Sequence, residues 1–441
     1  MTQTYWIETL GCPKNQVDSD KLSGKLLSEG YVAAEDSSLA DLVVVNTCAF
    51  IEDARQESID TVLALSEDGK ADSRIVVTGC MAERYGDELA AALPEIDTVA
   101  GFGKSFSSAA DGTAGATSTA TRTLIAVSSA PVPEFDLLNL PRPKSTSPWA
   151  YVKIAEGCDR NCGFCAIPSF RGPQRSRTIA DIVAEVESLE AREIVLVAQD
   201  LAAFGRDQGQ GERSIVPLVR QVSAATDWVR LLYLYPSDLT EELIDAMCAT
   251  GVPYFDLSLQ HVSAPLMRRM RRWGNGEKFI ERIERIRTLE PQAAFRSNFI
   301  VGYPGETEHD HDALIDFVEQ AQLDWCGFFS FSDEDGTYAK TLDGHVEQGL
   351  VDDRLAELRE LQDSITAARR DELIGTQITV LVDAPGEARS FREAPEIDGI
   401  VIVADHLAVG EFHTLQVDGA EGPDLGPRES LPGCLTTGAP R

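Results

Sequence analysis

Residues 157–165 read Gly-Cys-Asp-Arg-Asn-Cys-Gly-Phe-Cys. The spacing is C-x3-C-x2-C, from Cys158, Cys162 and Cys165, and it follows directly on a strand-like run at 150–155. Three thiolates in one loop can bind three corners of a 4Fe-4S cube. No fourth cysteine lies nearby, so one iron would keep an exchangeable position for a chelating ligand. Structural zinc wants four ligands, and no histidine is close by.

Outward from this loop, strand and helix patterns alternate. Strand candidates are 150–155, 193–198, 229–235, 254–259, 295–301 and 325–331; helical periodicity fills 179–190, 215–225, 241–249, 276–289 and 309–322. Six βα-type units suit a partial barrel or a large open sheet, and periodicity alone does not choose. Either way, chemistry gathers at the carboxyl ends of the strands. There the chain places Gln199 and Asp200, Tyr233 to Ser237, Gln260 and His261, and the turn Gly302-Tyr303-Pro304-Gly305-Glu306. Arg268, Arg269, Arg271 and Arg272 form a basic run after the fourth strand. His261 reads first as a core or capping histidine and second as a base.

Residues 1–104 read as a small parallel α/β domain, with strands at 5–9, 42–46 and 74–78 and helices at 16–29 and 53–66. Residues 105–147 are small, polar and proline-rich, as a surface linker or insertion would be. The central domain spans 148–371 and closes with a charged amphipathic helix over 351–371. Residues 372–441 carry short β runs at 377–382, 399–404 and 412–417, which suggests a small antiparallel β-barrel.

Acidic side chains outnumber basic ones by 72 to 39, for a net charge of −33. That disfavours a nonspecific grip on a phosphate backbone and favours a basic protein partner. The last 70 residues carry 12 acidic and 4 basic side chains, a net of −8. No apolar run approaches the roughly 20 residues of a membrane span, and the N-terminus lacks the features of a signal peptide. The expected location is cytoplasmic, where nine cysteines need a thiol explanation other than disulfides.

The C-x3-C-x2-C loop resembles the defining motif of the radical S-adenosylmethionine (SAM) enzymes. The resemblance implies a partial (β/α)6 barrel, a 4Fe-4S cluster on Cys158, Cys162 and Cys165, and SAM chelated to the open iron. It also implies SAM contacts from Phe164, from Gln199 and Asp200 toward the amino group, from Gln260, and from Gly302, Tyr303 and Glu306. Arg271 is the favoured clamp for the SAM carboxylate. Arg171, Arg175 and Arg177 could meet SAM or an anionic substrate, or be solvated surface.

Three more cysteines, Cys12, Cys48 and Cys80, each end a predicted strand: WIETLGC, LVVVNTC and RIVVTGC. In a parallel sheet such ends share one edge, so the three can converge. The contexts GCPKNQVDSD, VVNTCAF and VTGC resemble the N-terminal domain of the methylthiotransferases, which holds a second 4Fe-4S cluster and is followed by a radical SAM barrel and a small TRAM domain. GCPKN in place of GCQMN, GCDRNCGFCAIPSFRG and REAPEIDG are similar to the branch that modifies an aspartate β-carbon of ribosomal protein uS12. Ser258 in FDLSLQH departs from that pattern, where a proline is expected. The alternative branch modifies an adenosine in tRNA.

The implied reaction uses SAM twice, once to methylate cluster-held sulfur and once to abstract hydrogen from the aspartate. It needs an electron donor and a sulfur donor. A sulfur inserter without methylation, or an iron-sulfur or RNA-binding scaffold, are the competing classes. Deleting 372–441 is expected to weaken uS12 binding more than SAM cleavage. Cys248 and Cys326 read as buried core thiols, and Cys434 as a free thiol in the tail.

Overall fold

Leu42–Thr47 is buried along its whole length, as a central parallel strand must be when helices cover both faces. The computed structural model, which describes residues 2–70, 72–102, 104, 135–209 and 211–427, makes it β3 of a five-stranded parallel sheet. The others are β1 (Thr4–Thr9), β2 (Val32–Ala33), β4 (Arg74–Gly79) and β5 (Thr98–Val99), in the order β2-β1-β3-β4-β5. Helices α1 (Pro13–Ser28), α2 (Glu52–Asp68) and α3 (Cys80–Ala92) connect them. The helix α3, the short β2 and the short β5 are absent from the sequence reading.

The expected linker is only partly a linker. Its first thirty residues, 105–134, lie outside the described residues. From 135 onward the chain packs against α1: Leu138 is buried, Lys21 Nζ donates to Leu138 O at 2.7 Å, and Arg142 meets Asp20 at 2.8 Å.

The central domain contains β6 (Trp149–Lys153), β7 (Ala155–Glu156), α4 (Ile167–Arg171), β8 (Arg175–Ser176), α5 (Ile179–Leu189), β9 (Glu193–Val197), α6 (Ile215–Val222), β10 (Trp228–Leu231) and α7 (Glu241–Cys248). It continues through β11 (Tyr254–Gln260), α8 (Ala264–Arg269), α9 (Gly276–Leu289), β12 (Ala294–Val301), α10 (Glu308–Ala321), β13 (Trp325–Ser330) and α11 (Gln348–Asp371). Strands β6-β9-β10 and β11-β12-β13 form two parallel three-stranded sheets. A parallel bridge between Leu234 and Leu257 joins them, and Ser258 N–H donates to Leu234 O at 2.9 Å across the same seam. Six parallel strands therefore follow one another in chain order.

Side chains alternate along these strands. Val152, Leu196, Leu231, Phe255 and Phe295 face the helices in the largest apolar cluster. Tyr151, Val195, Trp228, Tyr254, Ala294 and Trp325, on the other face, form a second cluster with Leu381 and Ala394.

The C-terminal module has β14 (Gln377–Ala384), β15 (Glu387–Ser390), β16 (Val401–Ile402), β17 (Phe412–Gln416), β18 (Gly419–Glu421) and β19 (Asp424–Gly426), in the order β17-β14-β15-β16-β19-β18. The expected all-antiparallel pairing holds except between β16 and β19, which run parallel. Residues 389–398 enter the end of the central sheet where its strands begin. Tyr151 Oη donates to Pro395 O at 3.0 Å, Trp325 Nε1 to Arg392 O at 2.7 Å, and Tyr254 Oη to Asp398 at 2.6 Å. Glu193 sits between Arg230 and Arg389, each at 2.7 Å. The module thus plugs the end of the central sheet opposite to the cysteine loops.

Candidate functional site: two cysteine triplets at strand ends

Cys158, Cys162 and Cys165 occupy the loop between β7 and α4. Gly157 has a φ of +79°, and a Cβ there would lie 2.2 Å from Pro173 O, so only glycine permits the loop to fold back this closely. The turn is held by Cys158 N–H donating to Gly172 O at 3.1 Å and by Gly163 N–H donating to Met270 O at 2.7 Å. Two guanidiniums sandwich Tyr235 beside this loop, Arg160 at 3.9 Å and Arg272 at 4.3 Å from the ring. Arg272 Nη1 donates to Cys162 Sγ at 3.2 Å.

Cys12, Cys48 and Cys80 follow the adjacent strands β1, β3 and β4, so one sheet edge brings them together. A Cβ on Gly11 would lie 3.0 Å from Cys48 Sγ. Asn15 ties the loops, its amide donating to Leu10 O at 2.8 Å and to Thr47 O at 3.1 Å.

Each triplet is electrostatically one group. Cys12 and Cys80 both act on Cys48, and Cys158 and Cys162 both act on Cys165. Burial pushes the thiols of Cys48 and Cys165 up to about 12 and that of Cys158 to about 11. Burial also resists ionisation of Cys12, but Lys14 and Arg171 outweigh it and hold that thiol below its ordinary value. A bound metal cation would displace the protons that burial holds on Cys48, Cys158 and Cys165. Among the described residues no three Cys, His, Asp or Glu form a site for a single ion.

The triplets meet through Arg171. It ends α4, just beyond the first cysteine loop, yet its Nη2 donates to Cys80 Sγ at 3.1 Å and to Asn15 Oδ1 at 2.9 Å. Lys14 lies over the Tyr233 ring at 3.6 Å. Glu334, after β13, grips Arg55 at 2.5 Å and Arg84 at 2.7 Å. The N-terminal domain is therefore clamped over the carboxyl ends of the central strands.

The other expected SAM contacts are placed unevenly. Asp200 is buried and paired with Arg160 at 2.5 Å. Gln199 Nε2 donates to Glu156 at 2.7 Å, and its Oε1 is buried with no protein partner. Gln260 ends β11 at a φ of +73°. Phe164 packs beside Tyr303, Leu266 and Met270. Tyr303 is fully buried, with Oη donating to Arg269 O at 3.1 Å. Glu306 accepts from Gly302 N–H at 2.7 Å and pairs with Arg354 at 2.9 Å, so its side chain staples the turn to α11. Gly302 is demanded locally, since a Cβ there would meet Val351 at 2.5 Å.

Of the other expected residues, only some lie where the sequence put them. Arg271 stacks on Tyr338 at 3.6 Å, and its neighbour Arg272 is the one that reaches the cysteine loop. Arg175 and Arg177 neither point into open solvent nor reach the cysteines: Arg175 pairs with Asp136 at 2.7 Å and Arg177 with Glu185 at 2.6 Å. Cys248 and Cys326 are only partly buried, and Cys434 lies outside the described residues. His261 is the buried capping group of its first reading, its Nδ1 accepting from Ser263 N–H at 3.1 Å.

The sequence reading passed over Lys14, Glu156, Arg160, Asn298 and Phe329. Asn298 Oδ1 is buried without a partner, and Phe329 is 49% exposed although it lies in a strand. One signal was available for Phe329, whose position in β13 matches the inward-facing Trp325 and Gly327.

Three family models match in order along the chain: "Uncharacterized protein family UPF0004" over residues 4–101, the "Radical SAM superfamily" over 152–318 and the "TRAM domain" over 374–427. Among solved structures, the radical SAM methyltransferase TsrM from Kitasatospora setae has a TM-score of 0.47 at 14% identity, covering 74% of this chain and 73% of that one, a loose likeness. Curated relatives agree over nearly their full length. "Ribosomal protein uS12 methylthiotransferase RimO" of Cutibacterium acnes is 40% identical, covering 96% of this chain and 97% of that protein. The protein of the same name from Nocardioides sp. is 41% identical, with coverages of 95% and 96%. That of Moorella thermoacetica is 42% identical, with coverages of 93% and 95%. With such agreement from the first cysteine set to the C-terminal module, the chain belongs to the RimO family of ribosomal protein uS12 methylthiotransferases, within the radical SAM superfamily.

Proposed function

We propose that this chain adds a methylthio group to the β-carbon of an aspartate in ribosomal protein uS12. The observation that carries the reading is geometric. Two cysteine triplets, with no fourth thiol beside either among the described residues, lie on strand-end edges that Arg171 links. Cys158, Cys162 and Cys165 would hold the cluster that binds SAM, and Cys12, Cys48 and Cys80 a second 4Fe-4S cluster. When bound, these groups supply a radical able to take hydrogen from an unactivated carbon, and a methylated sulfur to replace it.

The chain's own residues do the remaining work. Arg272 and Arg160 set positive charge around the first loop, against the negative charge of its thiolates. Gln199, with one buried oxygen unpartnered, and Asn298, likewise, are the free acceptors for SAM's donors. Phe329 offers an exposed ring to its adenine. Asp200 meets the SAM ammonium only if it shares its carboxylate with Arg160. Gln260 and the backbone of the turn from Gly302 line the same edge, and Phe164, Tyr303 and Glu306 support it from beneath. Arg271 remains a candidate for the substrate or the SAM carboxylate at the exposed rim.

The six parallel strands are read as the partial (β/α)6 barrel, and the C-terminal module as a TRAM fold. Its net charge of −8 favours a basic protein over RNA. The reaction would draw an electron from a reductant and sulfur from a donor, in the cytoplasm. Among the described residues no helix is long and apolar enough to cross a membrane.

The test is anaerobic incubation of the reconstituted chain with reductant, sulfide, SAM and uS12. A uS12 peptide heavier by one methylthio substitution supports the reading. Bare thiolation, lighter by one CH2, would replace it with sulfur insertion alone, and a thiomethylated adenosine with the tRNA branch. Iron content bears on the cofactors: about eight irons per chain, falling to about four when Cys158, Cys162 and Cys165 are all alanine.

A further inference from the structure

Arg171 belongs by sequence to the first cysteine loop and by contact to the second. Its backbone neighbour, Gly172, accepts the amide hydrogen of Cys158 at 3.1 Å. Its own guanidinium is buried across the domain boundary. One edge, Nη1, is held by both oxygens of Glu156 at 2.9 Å and by Asp18 at 3.5 Å. The face lies over the Phe102 ring at 4.2 Å. The other edge, Nη2, is left as a fixed donor for Asn15 Oδ1 at 2.9 Å and Cys80 Sγ at 3.1 Å. Lys153 completes the group by pairing with Asp18 and with Glu156 at 2.7 Å.

We infer that Arg171 is a positioning residue of the second cysteine set, holding its cluster against the SAM loop and raising that cluster's reduction potential. The inference rests on the two-cluster reading above. Reduction adds one electron, and a cation fixed beside a ligating sulfur, away from water, favours the more negative form. Four charges here are balanced: Arg171 and Lys153 against Asp18 and Glu156. Without Arg171 two carboxylates face one ammonium, and the site beside Cys80 becomes net negative. The residue as a whole spans from the backbone that holds the turn at Cys158 to the sulfur of Cys80, so it also sets how far apart the two clusters sit.

The experiment uses the full-length chain with Cys158, Cys162 and Cys165 replaced by alanine, so that only the second cluster remains. Its midpoint potential is titrated with a chemical reductant and read by EPR, with Arg171 intact, as Arg171→Lys and as Arg171→Met. Arg171→Met should lower the potential enough to change the oxidised-to-reduced ratio at least tenfold, about 59 mV for one electron. Arg171→Lys, which keeps the charge but cannot span the same partners, should shift it less and in the same direction. Four irons with an unmoved potential in both variants overturn the inference while leaving two clusters standing. No iron in the parent triple variant overturns the two-cluster reading, and the inference with it. In the reciprocal background, with Cys12, Cys48 and Cys80 as alanine, the SAM cluster should move little. A larger shift there than at the second cluster would assign Arg171 to SAM instead. If Arg171→Met does not fold, Arg171→Lys alone decides: an unmoved potential overturns the proposal.

Discussion

The imidazole of His261 has two nitrogens and one close partner. Nδ1 accepts from Ser263 N–H, while Nε2 is buried without a hydrogen bond, 4.0 Å from Glu306. Burial pushes its pKa down to about 4, against the pull of Asp310. The ring is therefore neutral in the fold and charges in the unfolded chain near pH 6.5. Its contribution, on the order of 3 kcal/mol, is fully present above pH 6.5 and is lost as pH falls toward 4. His261→Asn keeps an acceptor for Ser263 but cannot titrate. Urea unfolding at pH 6.5 and 4.5 should show the wild type losing more stability than the variant, and parallel losses would refute the assignment. A second residue-scale expectation concerns Arg272, which donates to Cys162 Sγ. Arg272→Ala should lower 5'-deoxyadenosine formation by about 10–100-fold, measured per SAM cluster, with iron at the second triplet retained.

At the scale of elements, the joint between β4 and α3 carries the strictest local demand. Gly79 has a φ of +91°, and a Cβ there would sit 2.4 Å from Asn46 Oδ1 and 2.5 Å from Thr47 O. Both contacts lie on the neighbouring strand β3, which Cys48 follows directly. The glycine lets two cysteine-bearing loops approach, so Gly79→Ala should cost about 1–3 kcal/mol and selectively reduce iron at the second triplet. Chemical denaturation and iron analysis of reconstituted protein check both. Left-handed backbone at Tyr233, Gln260 and Arg271 marks the strand-end edge of the central domain, where bulky residues adopt it only under constraint from their surroundings.

For the whole molecule, the plug at 389–398 changes what a truncation means. Charge alone suggested that removing 372–441 would mainly weaken uS12 binding. The structure places that segment's Arg389, Pro395 and Asp398 against Glu193, Tyr151 and Tyr254, inside the end of the central sheet. Truncation exposes this interior, so the shortened chain should aggregate or lose SAM cleavage together with uS12 binding. Glu193→Ala isolates the effect within the full chain. It leaves Arg230 and Arg389 without their shared carboxylate and should cost on the order of 3–5 kcal/mol, read by urea unfolding. A loss below 1 kcal/mol would show that the plug contributes little to stability.

Spacing and periodicity were enough to find both cysteine sets, six central strands and the three-part order of the chain. Those features are local: a three-thiol loop is written in nine consecutive residues, and a strand in a run such as LVVVNT. Even the convergence of Cys12, Cys48 and Cys80 follows from a local fact, that each ends a strand of one parallel sheet. The partners of the charged side chains were another matter. Arg171, Arg175 and Arg177 lie within seven residues of one another and look equivalent there. In the fold they go to Cys80, Asp136 and Glu185, partners separated from them by 8 to 91 positions, and the first of these is brought close only by domain docking. The same holds for Arg271 and Arg272, adjacent in sequence, whose side chains part because Arg271 takes a left-handed backbone at φ +56°. A guanidinium reaches far from its own backbone and accepts many partners, so its sequence neighbours do not select among them. Only the packed structure, which leaves a buried charge few countercharges within reach, makes that choice.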